Sequence, residues 1–242
     1  MNPTATKQEI LSQVPQNVAL FLEQMREMGD KRDIPNISWN TAAFLIEQLR
    51  RRNISNILEI GSANGFSTMM LALACPDASI TSIEFSRHAF EELRQNLQSF
   101  STMKNEEITF VPADLWPKVT SDINQEKIGN FSLYYGDARS VLPAFLEGAD
   151  ELVCPHPESI LREIPKQRFD FIFIDGAFRM TREFFDLSLP LLTTCGMIIL
   201  DDAIKYRWKM DGFHEYLDEQ WIAYELVQTD EDDGVMIINV QL

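Results

Sequence analysis

The chain has 242 residues, of which 45% are hydrophobic and 24% are charged, and its formal net charge is −16. This composition is typical of a globular chain with a full hydrophobic core, and it excludes disordered and collagen-like proteins. The negative charge disfavours binding to nucleic acids and anionic membranes, because both carry the same sign. Three scattered cysteines and no apolar run of membrane-spanning length predict a cytoplasmic protein without disulfides.

The first fifty residues are predicted to be helical. Apolar residues recur at helical spacing over residues 8–29, and Pro15 should divide that stretch into two helices. A third helix is predicted from Thr41 to Arg51. We therefore expect residues 1–52 to form a helical segment packed on a main domain that spans residues 53–242.

Short apolar runs alternate with helical stretches from Ile57 onwards. The strand-like runs are ILEI, SITSIE, FDFIFID and GMIIL, and each is followed by a helical pattern. Such alternation predicts a parallel sheet covered on both faces. Near the C-terminus, WIAYELVQ and VMIINVQL flank a turn-rich segment and should pair as an antiparallel hairpin. The fold class is α/β, a Rossmann-like doubly wound sheet of about seven strands whose last strand is antiparallel.

Two proline-containing segments interrupt the alternation. They lie near residues 101–130 and 146–168, and we interpret both as insertions. Because α/β folds place substrate-selecting loops at strand ends, these insertions are expected to shape a substrate pocket.

The strongest motif is ILEIGSANGFS, which joins the first predicted strand to a helix. Gly61 and Gly65 let the backbone turn tightly and approach a ligand. Their spacing differs from the G-x-G-x-x-G that seats a dinucleotide pyrophosphate. S-adenosylmethionine (SAM) has no phosphate, and an acid such as Glu59 can fix its cationic amino-acid end. The alternative is an ordinary glycine-bearing turn in an unrelated α/β protein.

Two further segments fit a bound nucleoside. Glu84 ends the second predicted strand about 23 residues after Gly61, near the offset at which an acid receives ribose hydroxyls. Its alternative is a surface glutamate ahead of a helix. In SLYYGDARSVLP, Asp137 could accept a hydrogen bond from the adenine amine while Ala138 lies against the ring. A helix N-cap is an equally good interpretation of Asp137.

In this order the motifs resemble those of the class I SAM-dependent O-methyltransferases related to catechol and caffeoyl-CoA O-methyltransferases. The resemblance covers roughly residues 37–242. It implies SAM as the cofactor, O-methylation of a hydroxylated small molecule as the reaction, and a cofactor site formed by Glu59, Gly61, Ser62, Ala63, Gly65, Ser67, Glu84, Phe85, Gly136, Asp137, Ala138 and Asp175.

The resemblance also implies a divalent cation, Mg²⁺ or Mn²⁺, held by Asp175, Asp201 and Asp202 at the ends of two strands. Three converging carboxylates repel one another unless a cation or protons neutralise them. Asp175 is accordingly the predicted catalytic residue. One departure weighs against this chemistry, because Phe178 stands where the family carries a lysine base. Lys205 is a candidate substitute, and a solvated surface lysine is the alternative interpretation of that residue.

Three alternatives stay open at this stage. The protein could be a metal-independent methyltransferase acting on another acceptor such as nitrogen, a tRNA-modifying relative, or a cofactor-binding protein without turnover. The charge of −16 argues against the tRNA enzyme. A homodimer is compatible with the sequence.

Overall fold

The computed structural model describes residues 3–103, 123–210 and 212–240, with side chains from residue 6 onwards. Three helices precede the first strand: α1 (Pro3–Ser12), α2 (Gln16–Lys31) and α3 (Trp39–Arg50). Pro15 is the N-cap of α2, which confirms the predicted division. Ser38 caps α3, because its hydroxyl accepts a hydrogen bond from the Thr41 N–H at 3.0 Å.

Strands and helices then alternate as predicted through most of the chain. The elements are β1 (Asn56–Ile60), α4 (Phe66–Ala74), β2 (Ser79–Glu84), α5 (Arg87–Thr102), β3 (Gln125–Ile128), β4 (Phe131–Tyr135), α6 (Ala138–Glu147), β5 (Ala149–Pro155), β6 (Glu158–Ile164), β7 (Phe169–Ile174), α7 (Thr181–Ser188), β8 (Leu192–Leu200), α8 (Phe213–Glu219), β9 (Glu225–Gln228) and β10 (Gly234–Asn239).

Eight of these strands form one sheet in the order β3-β4-β2-β1-β7-β8-β10-β9. The five strands from β4 to β8 in this order run parallel to one another, whereas β10 is antiparallel to β8 and to β9. The predicted α/β class and C-terminal hairpin are therefore confirmed. The sheet exceeds the predicted seven strands because β3 adds an antiparallel edge next to β4.

Alternate residues along the central strands enter two separate hydrophobic cores. Phe171 and Phe173 of β7 pack on one face, in the cluster that contains helices α1 to α5. Ile172 and Ile174 pack on the other face, in the cluster that contains α6, α7 and α8. This two-sided burial explains the almost continuous apolar runs of the central strands.

The N-terminal helices share the first of these cores with α4, and the boundary predicted near residue 52 falls between α3 and β1. Residues 104–122 of the first predicted insertion lie outside the described residues. The second insertion contains the antiparallel hairpin β5–β6. No helix in the described part of the chain is both long and apolar enough to cross a membrane.

Candidate functional site

Backbone hydrogen bonds between neighbouring strand ends bring the predicted site residues to one edge of the sheet. Gly61 donates to the Ile83 carbonyl at 3.0 Å, and Asp175 donates to the Ile60 carbonyl at 2.9 Å. In the same way, the Gly136 N–H after β4 donates to the Glu84 carbonyl at the end of β2. The Asp201 N–H after β8 donates to the Ile174 carbonyl at the end of β7. The carboxyl ends of parallel strands are where open α/β sheets bind their ligands.

The turn after β1 requires its glycines. Gly61 has φ +87° and Gly65 has φ +91°, a region that side chains rarely adopt. A Cβ atom on Gly61 would lie 2.1 Å from the carbonyl oxygen of Asp175. Ala63 also has a positive φ of 44°, which indicates a strained loop. The backbone of β7 is thus pressed directly against this turn.

Glu59 lies beneath the turn and is fully buried. Its carboxylate accepts hydrogen bonds from the hydroxyls of Ser67 (2.6 Å), Thr68 (2.6 Å) and Ser82 (2.7 Å). Burial raises the pKa of Glu59, although the three hydroxyls oppose that shift. The carboxylate therefore anchors the first turn of α4 to β1 and β2. Direct contact of Glu59 or Ser67 with a ligand stays a prediction.

Glu84 connects the turn to the next loop. One carboxylate oxygen accepts a hydrogen bond from the Ala63 N–H at 2.9 Å, and the other accepts one from the Ser86 N–H at 2.6 Å. Burial raises the pKa of Glu84, and these backbone donors partly offset the effect. Because each carboxylate oxygen can accept more than one hydrogen bond, both retain capacity for a ligand hydroxyl. Phe85 follows directly and is 57% exposed.

Asp137 is the N-cap of α6. Its carboxylate accepts a hydrogen bond from the Arg139 N–H at 2.9 Å and forms an ion pair with the Arg139 guanidinium at 2.7 Å. The capping interpretation is therefore correct as local structure, and a contact with adenine would use the remaining acceptor capacity. Gly136 precedes the cap, and Ala138 is buried in the first turn of the helix.

The turn after β1 also contains buried polar groups that lack a partner among the described residues. These are the hydroxyl of Ser62 and the amide nitrogen of Asn64. Because burying an unpaired polar group is costly, such atoms mark a place where a bound ligand can complete the hydrogen bonding. Asn64 lies inside the glycine motif but was not predicted as a site residue, and its amide nitrogen is close to Gly29 of α2.

The three predicted metal ligands follow β7 and β8. Burial, together with the charges of Asp201 and Asp202, raises the pKa of Asp175 well above its usual value. Burial and Asp202 similarly raise the pKa of Asp201. Burial and Asp233 raise the pKa of Asp202 to about 7, while Lys205 and Lys209 act in the opposite direction. In the described part of the chain, no three or more acidic, histidine or cysteine side chains already form a group able to hold a metal.

The loops around these acids carry aromatic and cationic groups. The ring of Phe178 stacks on that of Tyr206 with centroids 4.8 Å apart. The Lys209 ammonium lies 4.3 Å from the centroid of the Tyr206 ring and 5.2 Å from that of Phe178. Lys205 is instead exposed and forms an ion pair with Asp232 at 2.9 Å. Lys205, the candidate substitute base, therefore matches its alternative interpretation as a solvated lysine, and the lysine that lies over Phe178 is Lys209.

A cavity of about 260 Å³ opens beside Asp201 and Asp202. Its other walls come from α2, the loop before α3, the loop after β8 and the turn between β9 and β10; they are Arg26, Pro35, Asn36, Ile37, Ser38, Thr41, Lys205, Tyr206, Thr229, Asp230, Asp232, Asp233 and Gly234. The N-terminal helical segment therefore closes one side of the cavity.

Comparison with known proteins agrees with this arrangement. A family model described as a methyltransferase domain matches residues 58–203. Among similar solved structures, the O-methyltransferase TomG from Streptomyces achromogenes, involved in tomaymycin synthesis and in complex with SAM, is 20% identical with a TM-score of 0.64, and the match covers 92% of this chain and 90% of TomG. An O-methyltransferase from Bacillus cereus in complex with S-adenosylhomocysteine (SAH) is 19% identical with a TM-score of 0.64, and the match covers 91% of this chain and 90% of that one. A Podospora anserina methyltransferase bound to SAH is 18% identical with a TM-score of 0.65, and the match covers 95% of this chain and 89% of that one. At these identities the likeness establishes the fold.

Proposed function

This chain belongs to the methyltransferase domain family, whose model matches more than half of its length, and on that premise we propose that it transfers a methyl group from SAM to a hydroxyl oxygen of a small molecule. The single observation that carries the cofactor assignment is the Gly61–Gly65 turn. It combines positive φ angles, close approach to β7 and a tether to Glu84. The solved neighbours that contain SAM or SAH support the same assignment.

The residues of the turn fit the polar parts of SAM. The unpaired Ser62 hydroxyl and Asn64 amide offer hydrogen bonds beside the turn, and the two oxygens of Glu84 can accept the ribose hydroxyl protons. Phe85 offers an exposed ring next to Glu84. When bound, SAM supplies a methyl group activated by its sulfonium charge. The residues of the turn then fix its position, which is the main source of rate for a direct transfer.

The cavity beside Asp201 is the proposed acceptor site. It touches the strand-end acids, and the Phe178–Tyr206 stack lies at the same edge of the sheet. Asp175, Asp201 and Asp202 supply the hard oxygen ligands that Mg²⁺ and Mn²⁺ prefer, and burial together with the neighbouring acids raises the pKa of Asp175 and Asp201. The acids thus fit a divalent cation in donor type and charge. Such a cation would lower the pKa of an acceptor hydroxyl.

A divalent cation is expected to stabilise the protein more at pH 8 than at pH 5. In the folded protein, acids with a raised pKa keep protons that the unfolded chain releases, so metal-free stability should fall as the pH rises from about 4 to about 7. At pH 8 Asp202, whose pKa is raised to about 7, is ionised, and a cation relieves its repulsion with the neighbouring acids. Melting temperatures with EDTA and with Mg²⁺, at both pH values, measure this difference.

Asp201→Asn should remove most of the cation's effect, whereas Asp186→Asn should not, because Asp186 is exposed and pairs with Arg182 and Tyr216. EDTA should also abolish turnover, and Mg²⁺ or Mn²⁺ should restore it. Full activity after exhaustive chelation would remove the metal from the reaction, and the acids would then serve structure alone.

Oxygen as the accepting atom is tested by turnover. With SAM present, SAH should be released when the protein meets acceptors with two adjacent hydroxyls, such as 3,4-dihydroxybenzoate. The matched 3,4-dimethoxybenzoate should give none, because the two ring oxygens that would accept the methyl group are already methylated. Release of SAH with a panel of primary amines, and none with any hydroxylated compound, would identify a nitrogen methyltransferase instead.

We also propose that the protein is located in the cytoplasm.

A further inference from the structure

The hairpin β5–β6 contacts β3 and the end of β4, and among the described residues it contributes none to the lining of the proposed acceptor cavity. The Gln125 side chain of β3 both donates to the Arg162 carbonyl at 2.7 Å and accepts from the Arg162 N–H at 2.8 Å. Asn124 donates to the carbonyl of Ile160 at 3.3 Å. Because β3 is the edge strand beyond β4, three strands (β4, β2 and β1) separate it from β7, after which Asp175 follows. The insertion near residues 146–168 was expected to select the acceptor, and its position argues against that role.

Two buried side chains of the hairpin reach the end of β4. Cys154 and Ser159 are opposite each other in the β5–β6 register, and both are buried. The Ser159 hydroxyl donates to the Tyr135 carbonyl at 2.9 Å. A Cβ atom on Gly136 would lie 3.3 Å from the sulfur of Cys154. The hairpin therefore packs directly on the residues that lead into the predicted adenine contacts.

We propose that this hairpin positions the segment from Gly136 to Ala138 for the adenine ring of the cofactor, with Ser159 as the positioning residue. The inference rests on the proposed SAM-binding function. The Tyr135 carbonyl is the last backbone acceptor before that segment, and a hydrogen bond to it fixes the plane of the following peptide. The Cys154 sulfur limits the space beside Gly136, on the same side as the Ser159 hydroxyl. Fixing a binding segment before the ligand arrives reduces the entropy that is lost on binding.

The test compares the binding of SAH with that of its inosine counterpart, which lacks the adenine amine. Ser159→Ala should weaken SAH binding by roughly threefold to tenfold, the loss expected for one neutral hydrogen bond. It should weaken binding of the inosine compound much less, so the preference for adenine shrinks. A general loss of structure would weaken both ligands equally. Asn130→Ala is the matched control, because Asn130 also donates to a backbone carbonyl, that of Ala78, at the opposite end of β4.

A second set of variants tests the contact through Cys154. Gly136→Ala should weaken SAH binding, because the added methyl group meets the sulfur of Cys154 and a methyl of Val141. Combining it with Cys154→Ala should recover part of the affinity. The inference would be overturned if the ratio of SAH affinity to inosine-compound affinity were the same in Ser159→Ala as in the wild type. Strictly additive effects of Gly136→Ala and Cys154→Ala would also overturn it. Both results would leave SAM binding intact. A wild-type protein that binds no SAH would overturn both the inference and the proposed function.

Discussion

Gly61→Ala is expected to destabilise the protein by about 3 kcal/mol or more, which combines the cost of a left-handed backbone at a non-glycine residue with that of a steric clash. The new Cβ atom would lie 2.1 Å from the Asp175 carbonyl oxygen, and backbone on both sides leaves no flexible group that can move away. To relieve the clash, β1 and β7 would have to separate at their carboxyl ends. Urea unfolding measures the loss of stability.

Gly129→Ala is the matched control for this prediction. Gly129 also has a positive φ of 59°, but a Cβ atom there would have no neighbour within 4 Å. Its cost should be about 1 to 2 kcal/mol, from the backbone conformation alone. The difference between the two variants isolates the close approach of β7 to the turn. Equal losses of stability would contradict the packing described at Gly61.

Glu84→Gln is expected to weaken SAH binding by about 10-fold to 100-fold, or about 1.4 to 2.8 kcal/mol, as for the loss of charge-assisted hydrogen bonds. The carboxylate serves two purposes, since it accepts from the Ala63 and Ser86 backbone and faces the predicted ribose position. A glutamine amide would place N–H groups against one of these donors. Calorimetry with SAH measures the change in affinity.

A deoxy ligand separates these two roles of Glu84. If the carboxylate binds ribose, the wild type should prefer SAH over its 2′-deoxy counterpart by about tenfold, and Glu84→Gln should lose that preference. If Glu84 only tethers the turn, the variant should weaken both ligands equally. Glu47→Gln is the control, because Glu47 is exposed and pairs with Arg51 on the surface of α3. An unchanged SAH affinity in Glu84→Gln would assign this acid to structure alone.

The central part of the fold could be predicted because its local patterns agree with its packing. Strands β1, β7 and β8 contain short buried apolar runs, and β2 alternates isoleucines with small polar residues. Each of the four strands ends in, or leads directly into, a glycine or acid of the site. Parallel pairing then places Gly61, Glu84 and Asp175 at one edge without further information. The line of strand-end residues follows from topology.

The hairpin β5–β6 could not be predicted in the same way. In Glu158–Ile164 only Ser159, Leu161 and Ile164 are buried, and the outward residues include two glutamates and an arginine. Such a half-exposed strand gives a weak apolar signal, and nearby prolines favour a loop. Its place beside β3 depends on hydrogen bonds from Asn124 and Gln125, which carry no pattern in sequence.

Some side-chain roles also required the structure. The sequence indicates that Glu59 and Ser67 lie near the ligand, but it cannot show that the Ser67 hydroxyl donates to Glu59. Likewise, Lys205 and Lys209 are only four residues apart in the sequence. Only the fold shows that Lys209 is the one that lies over the Phe178 ring. Tertiary contacts decide which of several suitable residues faces the site.

The most direct test of the central claim is a calorimetric titration of the wild-type protein with SAH, repeated with NAD. We expect SAH to bind with a 1:1 stoichiometry, Glu84→Gln to weaken that binding, and NAD to give no heat of binding. The turn at Gly61–Gly65 lacks the glycine spacing that seats a pyrophosphate, so the two ligands should be clearly distinguished. Binding of NAD, together with no binding of SAH or SAM at millimolar concentration, would contradict the account.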